Sequence, residues 1–274
     1  MTRSAKMYAV RDNFKGRRFT GGSVFQKFTS FVLCSAVWMS AALCRADDWT
    51  FVVAPYGLLP SITGDAAVGR IDNAEVELDP GDVLESLEFG AMLEVEARHS
   101  SGYGVVLNYA FMNLGDNATG PRGFTEFDAD IFQGLLEGFG TYRFNLEGGS
   151  LDAYAGARWW DINIDVEATT SLGSRSLSRD KDWVDPVVGL RWLPRVNESW
   201  RLLLQGDVGG FDVASHFTWG VQGGAVWDGG ESWSVVLLYK LLSVDYETGD
   251  KNTPSYFAYD TITQGPLLGI VFRF

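Results

Sequence analysis

The chain ends in residues 265–274, GPLLGIVFRF. Counted back from the C-terminus, every second residue is apolar, so Phe274, Phe272 and Ile270 share one face of an extended strand. Arg273 lies on the opposite face, and no polar tail follows the last aromatic residue. This pattern predicts a strand with one face against a lipid bilayer and the other face turned to a polar interior.

Alternating segments of this kind recur along the chain, each about ten residues long and each followed by turn residues. In Leu87–His99, the clearest of them, apolar residues occupy one face and four charged residues occupy the other. The predicted strands are Trp49–Leu58, Leu87–His99, 103–113, 131–144, 151–166, 183–193, 200–211, 217–227, 233–246 and 259–274. An even strand number returns both termini to the same side of the membrane. We therefore predict an all-β fold, a transmembrane antiparallel up-and-down β-barrel of about ten strands.

The connections between the predicted strands alternate in length, as in barrels with short periplasmic turns and longer extracellular loops. The short turns are residues 100–102, 147–150, 196–199 and 228–231, and the longer connections are 59–86, 114–125, 167–182 and 247–258. If residues 62–70 and 74–79 form a hairpin within the first long connection, the barrel has twelve strands instead. The segment 59–86 lies either inside the lumen as a plug or outside as a recognition surface.

The N-terminal segment has the order of a secretory signal peptide: basic residues, the apolar run 28–43 and the small-x-small site Cys44-Arg45-Ala46. We predict a signal peptide over 1–46 and a barrel over 47–274. Both cysteines, Cys34 and Cys44, belong to this leader, so we expect no disulfide and no thiolate metal site in the mature chain. The full chain has 22 basic and 35 acidic residues, and the chain without the leader has 14 basic and 34 acidic residues. The mature net charge is therefore −20, which disfavours nucleic acid as a partner.

Four tryptophans flank two of the short turns, and they are Trp192, Trp200, Trp227 and Trp233. Tryptophan at this position is typical of the aromatic girdle at a membrane interface. A soluble β-sandwich also alternates in polarity, but only a closed barrel satisfies all its backbone groups within lipid.

The leader, the alternating strands and the terminal FRF together resemble the small outer-membrane β-barrels of Gram-negative bacteria, the opacity-type superfamily. The resemblance covers essentially the whole mature chain. It implies that the barrel-assembly machinery reads Phe274, Phe272 and Ile270 during insertion. It also implies contact with outer-membrane lipid and lipopolysaccharide.

The polar face of the strands predicts a charged lumen. Its expected members are Glu88, Glu94, Glu96, Arg98, Glu137, Arg143, Asp152, Arg158, Asp185, Arg191, Arg201, Asp207, Lys240 and Arg273, seven acidic and seven basic. A buried charge needs a partner, so this balance favours ion pairs and a plugged or narrow lumen. The surplus of acidic residues is then expected in the loops.

These observations favour a barrel of structural or interaction type without enzymatic activity. A passive channel for small solutes is the alternative, and an envelope enzyme that hydrolyses lipid or peptide is a third hypothesis. His216 is the candidate base of such an enzyme, although the adjacent Ser215 points to the opposite face of a strand and no nucleophile motif is present. No sequence motif for a cofactor or a metal was found, and we predict neither.

Overall fold

A computed structural model of the protein describes residues 48–69, 71–119, 125–170 and 173–274, so the predicted signal peptide lies outside the described residues. The elements are β1 (Trp49–Leu58), β2 (Ser61–Val68), β3 (Ile71–Leu78), α1 (Pro80–Ser86), β4 (Leu87–His99), β5 (Tyr103–Thr119), β6 (Thr125–Leu146), β7 (Gly149–Thr170), β8 (Gly173–Pro194), β9 (Trp200–Gly209), β10 (Phe217–Asp228), β11 (Trp233–Thr248) and β12 (Phe257–Arg273). Within these ranges we find no helix with the length and apolar character needed to cross a membrane.

The wall of the molecule is one antiparallel sheet that closes on itself. β1 pairs with both β4 and β12, and the strands from β4 to β12 pair in chain order. In an antiparallel ladder, the residue numbers of the two paired residues have a constant sum. This sum is 325 in both the β1–β12 and the β2–β12 ladders, so β2 continues β1 in the same register. Leu59 and Pro60 therefore interrupt a single long wall strand.

β3 lies beyond β4 on the same side of the strand formed by β1 and β2, although among the described residues β3 pairs with β2 and forms no ladder with β5. Paired residue numbers add up to 140 in the β2–β3 ladder and to 148 in the β1–β4 ladder, and the difference of 8 is the length of segment 79–86. This segment, which contains α1, thus leaves the wall and returns to it in register. The wall has ten strands, as predicted. The alternative of twelve strands is wrong. The predicted hairpin does form, as β2 and β3, but it extends the side of the barrel that β1 and β4 form and adds no strand to the circumference.

Alternate residues of each strand face the lumen and the lipid. Tyr56 and Asn108 belong to β1 and β5, which are not neighbours, and their hydrogen bond of 2.9 Å identifies the inner face. On β12, Ile270, Phe272 and Phe274 are exposed on the outer face. The start of β1, the end of β12 and the short turns lie at one end, which is the periplasmic end in barrels of this kind.

The four girdle tryptophans lie on the outer surface at the periplasmic end, each at least 37 % exposed. Trp227 and Trp233 are in edge-to-face contact with their ring centroids 5.4 Å apart. This band of aromatic rings marks the level at which one membrane interface meets the barrel.

α1 lies on the luminal side of the wall. Asp79 caps its N-terminus: Asp79 Oδ1 accepts the Asp82 backbone N–H at 3.0 Å, and Asp82 Oδ2 accepts the Asp79 N–H at 3.0 Å. Val83 is buried against Ile62 and Met112, which belong to the inner face. Segment 59–86, predicted as one loop, is therefore partly wall and partly a helix packed inside the barrel.

The strands extend further at the extracellular end than predicted, since β6, β7 and β8 each have 22 residues. Most of the predicted loop 167–182 is strand, and the predicted loop 114–125 is strand up to Thr119. Beyond the membrane the outer face becomes polar, so the alternation disappears while the backbone pairing continues. A pattern of hydrophobicity reports contact with lipid, not the hydrogen bonding that defines a strand.

The register predicts how the wall responds to deletion. Removing residues 79–86 joins Leu78 to Leu87 in phase, so we expect a folded barrel that migrates differently on gels before and after boiling. Removing only residues 79–85 shifts the phase by one residue and turns the inner face of β3 outward.

We expect this seven-residue deletion to lose the heat-dependent mobility of the wild-type protein. Equal behaviour of the two deletions would contradict the continuity of β3 and β4.

Candidate functional site

The lumen is the candidate site, and its periplasmic part holds a dense group of ion pairs. We call Glu96, Arg98, Arg143, Asp152 and Arg191 the periplasmic cluster. Asp152 is 1 % exposed and accepts hydrogen bonds from Arg143 Nε at 2.5 Å and Arg191 Nη2 at 2.8 Å. Arg191 Nη2 also donates to Glu96 at 2.9 Å, and Arg98 pairs with Glu96. Arg143 and Asp152, which flank the turn between β6 and β7, are thus in contact across their hairpin.

A second group, the mouth cluster, consists of Arg201, Asp228, Ser234 and Arg273. Arg201 donates two hydrogen bonds to Asp228, at 2.6 and 2.8 Å, and Arg273 Nη2 lies 3.2 Å from Asp228 Oδ1. Sequence reasoning missed Asp228, which it assigned to a turn. The alternation of β10 carried one residue further would have placed its side chain on the inner face.

Midway along the lumen lies the central cluster, in which Arg158 is 2 % exposed between two carboxylates. Arg158 Nε donates to Glu137 at 2.7 Å, and Arg158 Nη2 donates to Asp207 at 2.9 Å. Arg158 Nη1 also donates to the hydroxyl of Thr218 at 3.2 Å. One guanidinium therefore joins β6, β7, β9 and β10 across the interior.

The central cluster extends to the opposite wall through neutral groups. Asn108 Nδ2 donates to Glu137 at 2.8 Å, while Asn108 Oδ1 accepts the hydroxyl of Tyr56 at 2.9 Å. Neither residue could be singled out from the sequence, because a luminal Asn or Tyr is not distinguishable from one at a strand end. Hydrogen bonds thus run without interruption from β1 to β10.

A cavity of about 110 Å³ remains beside the central cluster. Glu94, Gln205, Gln222 and Lys240 contribute to its lining. Glu94 lies 3.7 Å from Arg191, whereas Lys240 has no ion-pair partner within 4.0 Å among the described residues. The cavity is small enough to hold a few water molecules, which polar linings of this kind retain.

Asp185 lies above these layers and is fully buried. Its carboxylate accepts hydrogen bonds from the Ser215 N–H at 2.8 Å, the Ser215 hydroxyl at 2.7 Å and Trp183 Nε1 at 3.2 Å. These donors hold the β9–β10 loop, in which Phe211 and Asp212 have left-handed backbone angles of 52° and 58° in φ. Asp185 is therefore anchored by neutral donors, not by the ion pair expected from the sequence.

The extracellular half of the lumen contains a buried apolar cluster among its described residues, which corrects the expectation of a polar inner face along the whole chain. Trp160, Trp183, Tyr246 and Phe257 form an aromatic cluster, and each of them is at most 9 % exposed. Trp183 stacks on Tyr246 with centroids 4.0 Å apart and planes 6° apart. The inner face could be apolar there because the strands rise above the bilayer and their outer face meets water.

Glu88 is not a luminal residue, which corrects its predicted placement. A β-bulge between Leu87 and Phe89 turns it to the outer face, where its carboxylate accepts a hydrogen bond from Asn113 at 2.8 Å. Asp228 takes the place of Glu88 on the inner face. Lys181 and Arg179 of β8 also lie on that face, because their cross-strand neighbours Ile162 and Ile164 pack with the buried aromatic residues of the interior. The periplasmic and mouth clusters each contain both signs of charge.

Part of the acidic surplus lies on the strands themselves, above the lipid, and not only in loops. Asp245, Asp260 and Asp65 are direct cross-strand neighbours on β11, β12 and β2, and all are exposed. Like charges in such positions repel one another, so their tolerance depends on water and salt.

His216 is exposed at the end of the β9–β10 loop, and its Nδ1 lies 2.9 Å from Asp212 Oδ1. The hydrogen bond with Asp212, aided by the charges of Asp245 and Glu247, raises the pKa of His216. Ser215 is buried and bonded to Asp185, so its hydroxyl is not available to His216.

A closed antiparallel barrel whose first and last strands meet, with an aromatic girdle at the end where they begin and finish, is typical of one class of membrane protein. The chain has the fold of the outer-membrane β-barrels of Gram-negative bacteria.

Solved structures of that class superpose on the chain. The outer membrane protease OmpT from Escherichia coli does so with a TM-score of 0.52 and 10 % identity, over 84 % of this chain and 98 % of OmpT. The translocator domain of the autotransporter NalP from Neisseria meningitidis superposes with a TM-score of 0.49 and 13 % identity, over 91 % of this chain and 98 % of the NalP domain. The attachment invasion locus protein Ail of Yersinia pestis superposes with a TM-score of 0.38 and 13 % identity, over 83 % of this chain and 99 % of Ail. The likeness to OmpT shows the fold alone, and no family model and no curated protein sequence matches the chain.

The burial of the periplasmic cluster predicts a large effect of Asp152. Asp152→Asn leaves buried guanidinium groups without their shared carboxylate, and we expect it to lower the free energy of unfolding by about 3–5 kcal/mol. Asp228→Asn makes the same change in the more exposed mouth cluster and is expected to cost about 1 kcal/mol. Urea unfolding in lipid vesicles, followed by tryptophan fluorescence, measures both. Similar losses for the two variants would contradict the difference in burial.

The rim histidine predicts a pH effect. The pKa of His216 is raised in the folded protein, so its contribution to stability is present below its unfolded pKa and disappears as the pH rises through the folded pKa. An NMR titration of His216 should give a pKa above the ordinary histidine value, and Asp212→Asn should lower it. A titration midpoint that does not move in that variant would show that Asp212 is not the cause.

Proposed function

We propose that the protein is a sealed outer-membrane barrel that acts through its surfaces as a structural or interaction protein. The observation that carries this proposal is the set of side-chain layers across the lumen. Ion pairs occupy the periplasmic part, the central cluster spans the middle, and the aromatic cluster and α1 occupy the extracellular part.

The layers resist opening for different physical reasons. Separating Arg158 from Glu137 and Asp207 would leave buried charges without partners, which costs several kcal/mol. Moving Trp183 away from Tyr246 would expose aromatic surface that is now packed. An ion that entered from either end would have to displace both kinds of contact.

The cellular setting belongs to the same proposal. The leader 1–46 would direct export across the inner membrane and be removed, and the assembly machinery would read Ile270, Phe272 and Phe274. Their exposure on the outer face of the last strand supports this role, since a signal on that face is accessible before the barrel closes. Outer-membrane lipid and lipopolysaccharide would then surround the mature barrel.

Conductance across a planar bilayer tests the sealed lumen. We expect no stable current steps from the wild-type protein. The variant Arg158→Ala, Trp160→Ala, Trp183→Ala, Arg191→Ala removes large side chains from the central, aromatic and periplasmic layers and should conduct. The matched control, Trp192→Ala with Trp200→Ala, shortens outward aromatic residues and should remain closed.

Stable wild-type current steps that change with Glu94→Gln or Arg158→Ala would favour the passive channel instead. A lipid- or peptide-hydrolysing activity that His216→Ala abolishes would favour the enzyme.

A further inference from the structure

β8 continues far beyond its neighbour β9 on the extracellular side. β8 has 22 residues and β9 has 10, and the ladder between them starts at Val187 and Gly209. On its other side β8 pairs with β7 along its whole length. No other strand in the described part of the chain pairs with residues 174–184. They therefore form a free strand edge about 33 Å long, which we call the β8 edge.

The backbone shows which residues present hydrogen-bonding groups at the β8 edge. Pro186 O accepts the Gly210 N–H at 3.1 Å from the side of β9, and successive residues of a strand point these groups to opposite sides. The even-numbered residues of β8 hence direct their N–H and C=O groups away from β7. Within the described ranges, these groups of Asp180, Asp182 and Val184 have no protein partner. A row of such groups can pair with another strand, which is why proteins usually cover or shorten their edges.

The side chains along the β8 edge have opposite charges on its two faces. Asp180 and Asp182 are exposed on the outer face, and Asp182 lies directly across from Asp161 of β7. Arg179 and Lys181 are half-buried on the inner face. Among the described residues, none of these five has an ion-pair partner within 4.0 Å. Each face of the edge thus has charges that a partner could neutralise.

The loop between β9 and β10 fixes the lower end of the β8 edge. The Ser215 N–H donates to Asp185 Oδ1 at 2.8 Å, and the His216 N–H donates to Asp245 O at 2.8 Å. The loop is therefore attached to both β8 and β11. The edge beyond it is preformed, so a partner would bind without the cost of ordering this part of the barrel.

We propose that the β8 edge binds an extended peptide segment of an external protein in which basic and acidic residues alternate. The segment adds one strand to the sheet through the free backbone groups of β8. Directly opposite residues share a face, so its basic side chains lie beside Asp180 and Asp182 and its acidic side chains lie beside Arg179 and Lys181. The alternation of charge, and not the net charge, distinguishes this partner from others. This inference rests on the proposed interaction role and specifies its partner.

A second copy of the chain matches the β8 edge less well. In the symmetric antiparallel register centred on Asp180, Arg179 lies opposite Lys181 and Asp180 lies opposite its own copy. In the register centred on Lys181, Asp180 lies opposite Asp182. Like charges directly opposite one another are destabilising, so these registers disfavour pairing of the edge with itself.

Peptide binding tests the β8 edge. The probe is a fluorescent synthetic peptide in which Lys and Glu alternate between flanking Val residues. The control peptide has the same composition, with Lys and Glu in separate blocks. Fluorescence anisotropy with the folded barrel in lipid nanodiscs should show about tenfold weaker binding of the block peptide, because its basic residues fall on both faces of the strand.

A proline substitution separates the backbone contribution from the charge. Asp180→Pro removes an N–H from the free side, and the ladder with β7 does not use this group. We expect this variant to weaken binding of the alternating peptide by about tenfold or more. The matched control Asp180→Asn removes only the charge and should weaken binding by about threefold or less. Equal losses for the two variants would reduce the surface to an effect of charge and contradict the proposal.

The remaining outcomes are also decisive. Absence of binding to the wild-type protein, or equal affinity for the two peptides, would overturn the proposal but leave the sealed lumen, which conductance tests, unaffected. Self-association of the wild-type protein that Asp180→Pro abolishes would assign the edge to a second copy and also overturn it.

Hydrogen exchange provides the test if Asp180→Pro does not reach the heat-modifiable folded form. In the wild-type protein, the backbone amides of Asp180 and Asp182 should exchange rapidly, and the alternating peptide should slow them by about tenfold or more. Exchange that the peptide leaves unchanged would show that no strand is added at the β8 edge.

Discussion

The structure depends on the demand that every backbone N–H and C=O group within lipid finds a partner in the protein. The ladder between β12 and the strand formed by β1 and β2 meets that demand, because it joins the last strand to the first. The interruption at Leu59 and Pro60 does not break it, since Leu59 N–H donates to Pro266 O at 3.0 Å. Closure therefore tolerates a proline, which has no N–H of its own, in a long wall strand.

Because the barrel is closed, the inner faces of its strands pack against one another in the interior. A wall of ten strands encloses a space that side chains can fill, and this chain fills it in two ways. Near the periplasm, where the outer face is apolar, the interior is charged and each carboxylate of the periplasmic cluster has an arginine partner. Near the cell exterior, where Asp245 and Asp260 face water, the interior is aromatic. The chemistry of the lumen is thus the inverse of its surroundings at each level.

The period of two residues was sufficient to predict the strand number, the outward faces and most luminal residues, because lipid imposes that period on the sequence. Glu88 was assigned to the wrong face because a bulge shifts the phase locally, and a bulge leaves no mark on composition. Asp228 was missed because a strand end and a turn have similar residues. The course of segment 59–86 required the pairing partners of Ile62 and Leu78, which are distant in sequence and unrelated in residue type.

Segment 79–86 also bears on how a barrel of this kind can change during evolution. Because the chain leaves the wall at Leu78 and re-enters it at Leu87, the register of β3 is set by its pairing with β2 and that of β4 by its pairing with β1, and not by the length of the segment between them. At this junction a longer or shorter peptide can replace the segment on the luminal side without a change in strand number. The internal segment can therefore vary without a change in the barrel wall. Related sequences could carry different internal segments at this position within the same barrel.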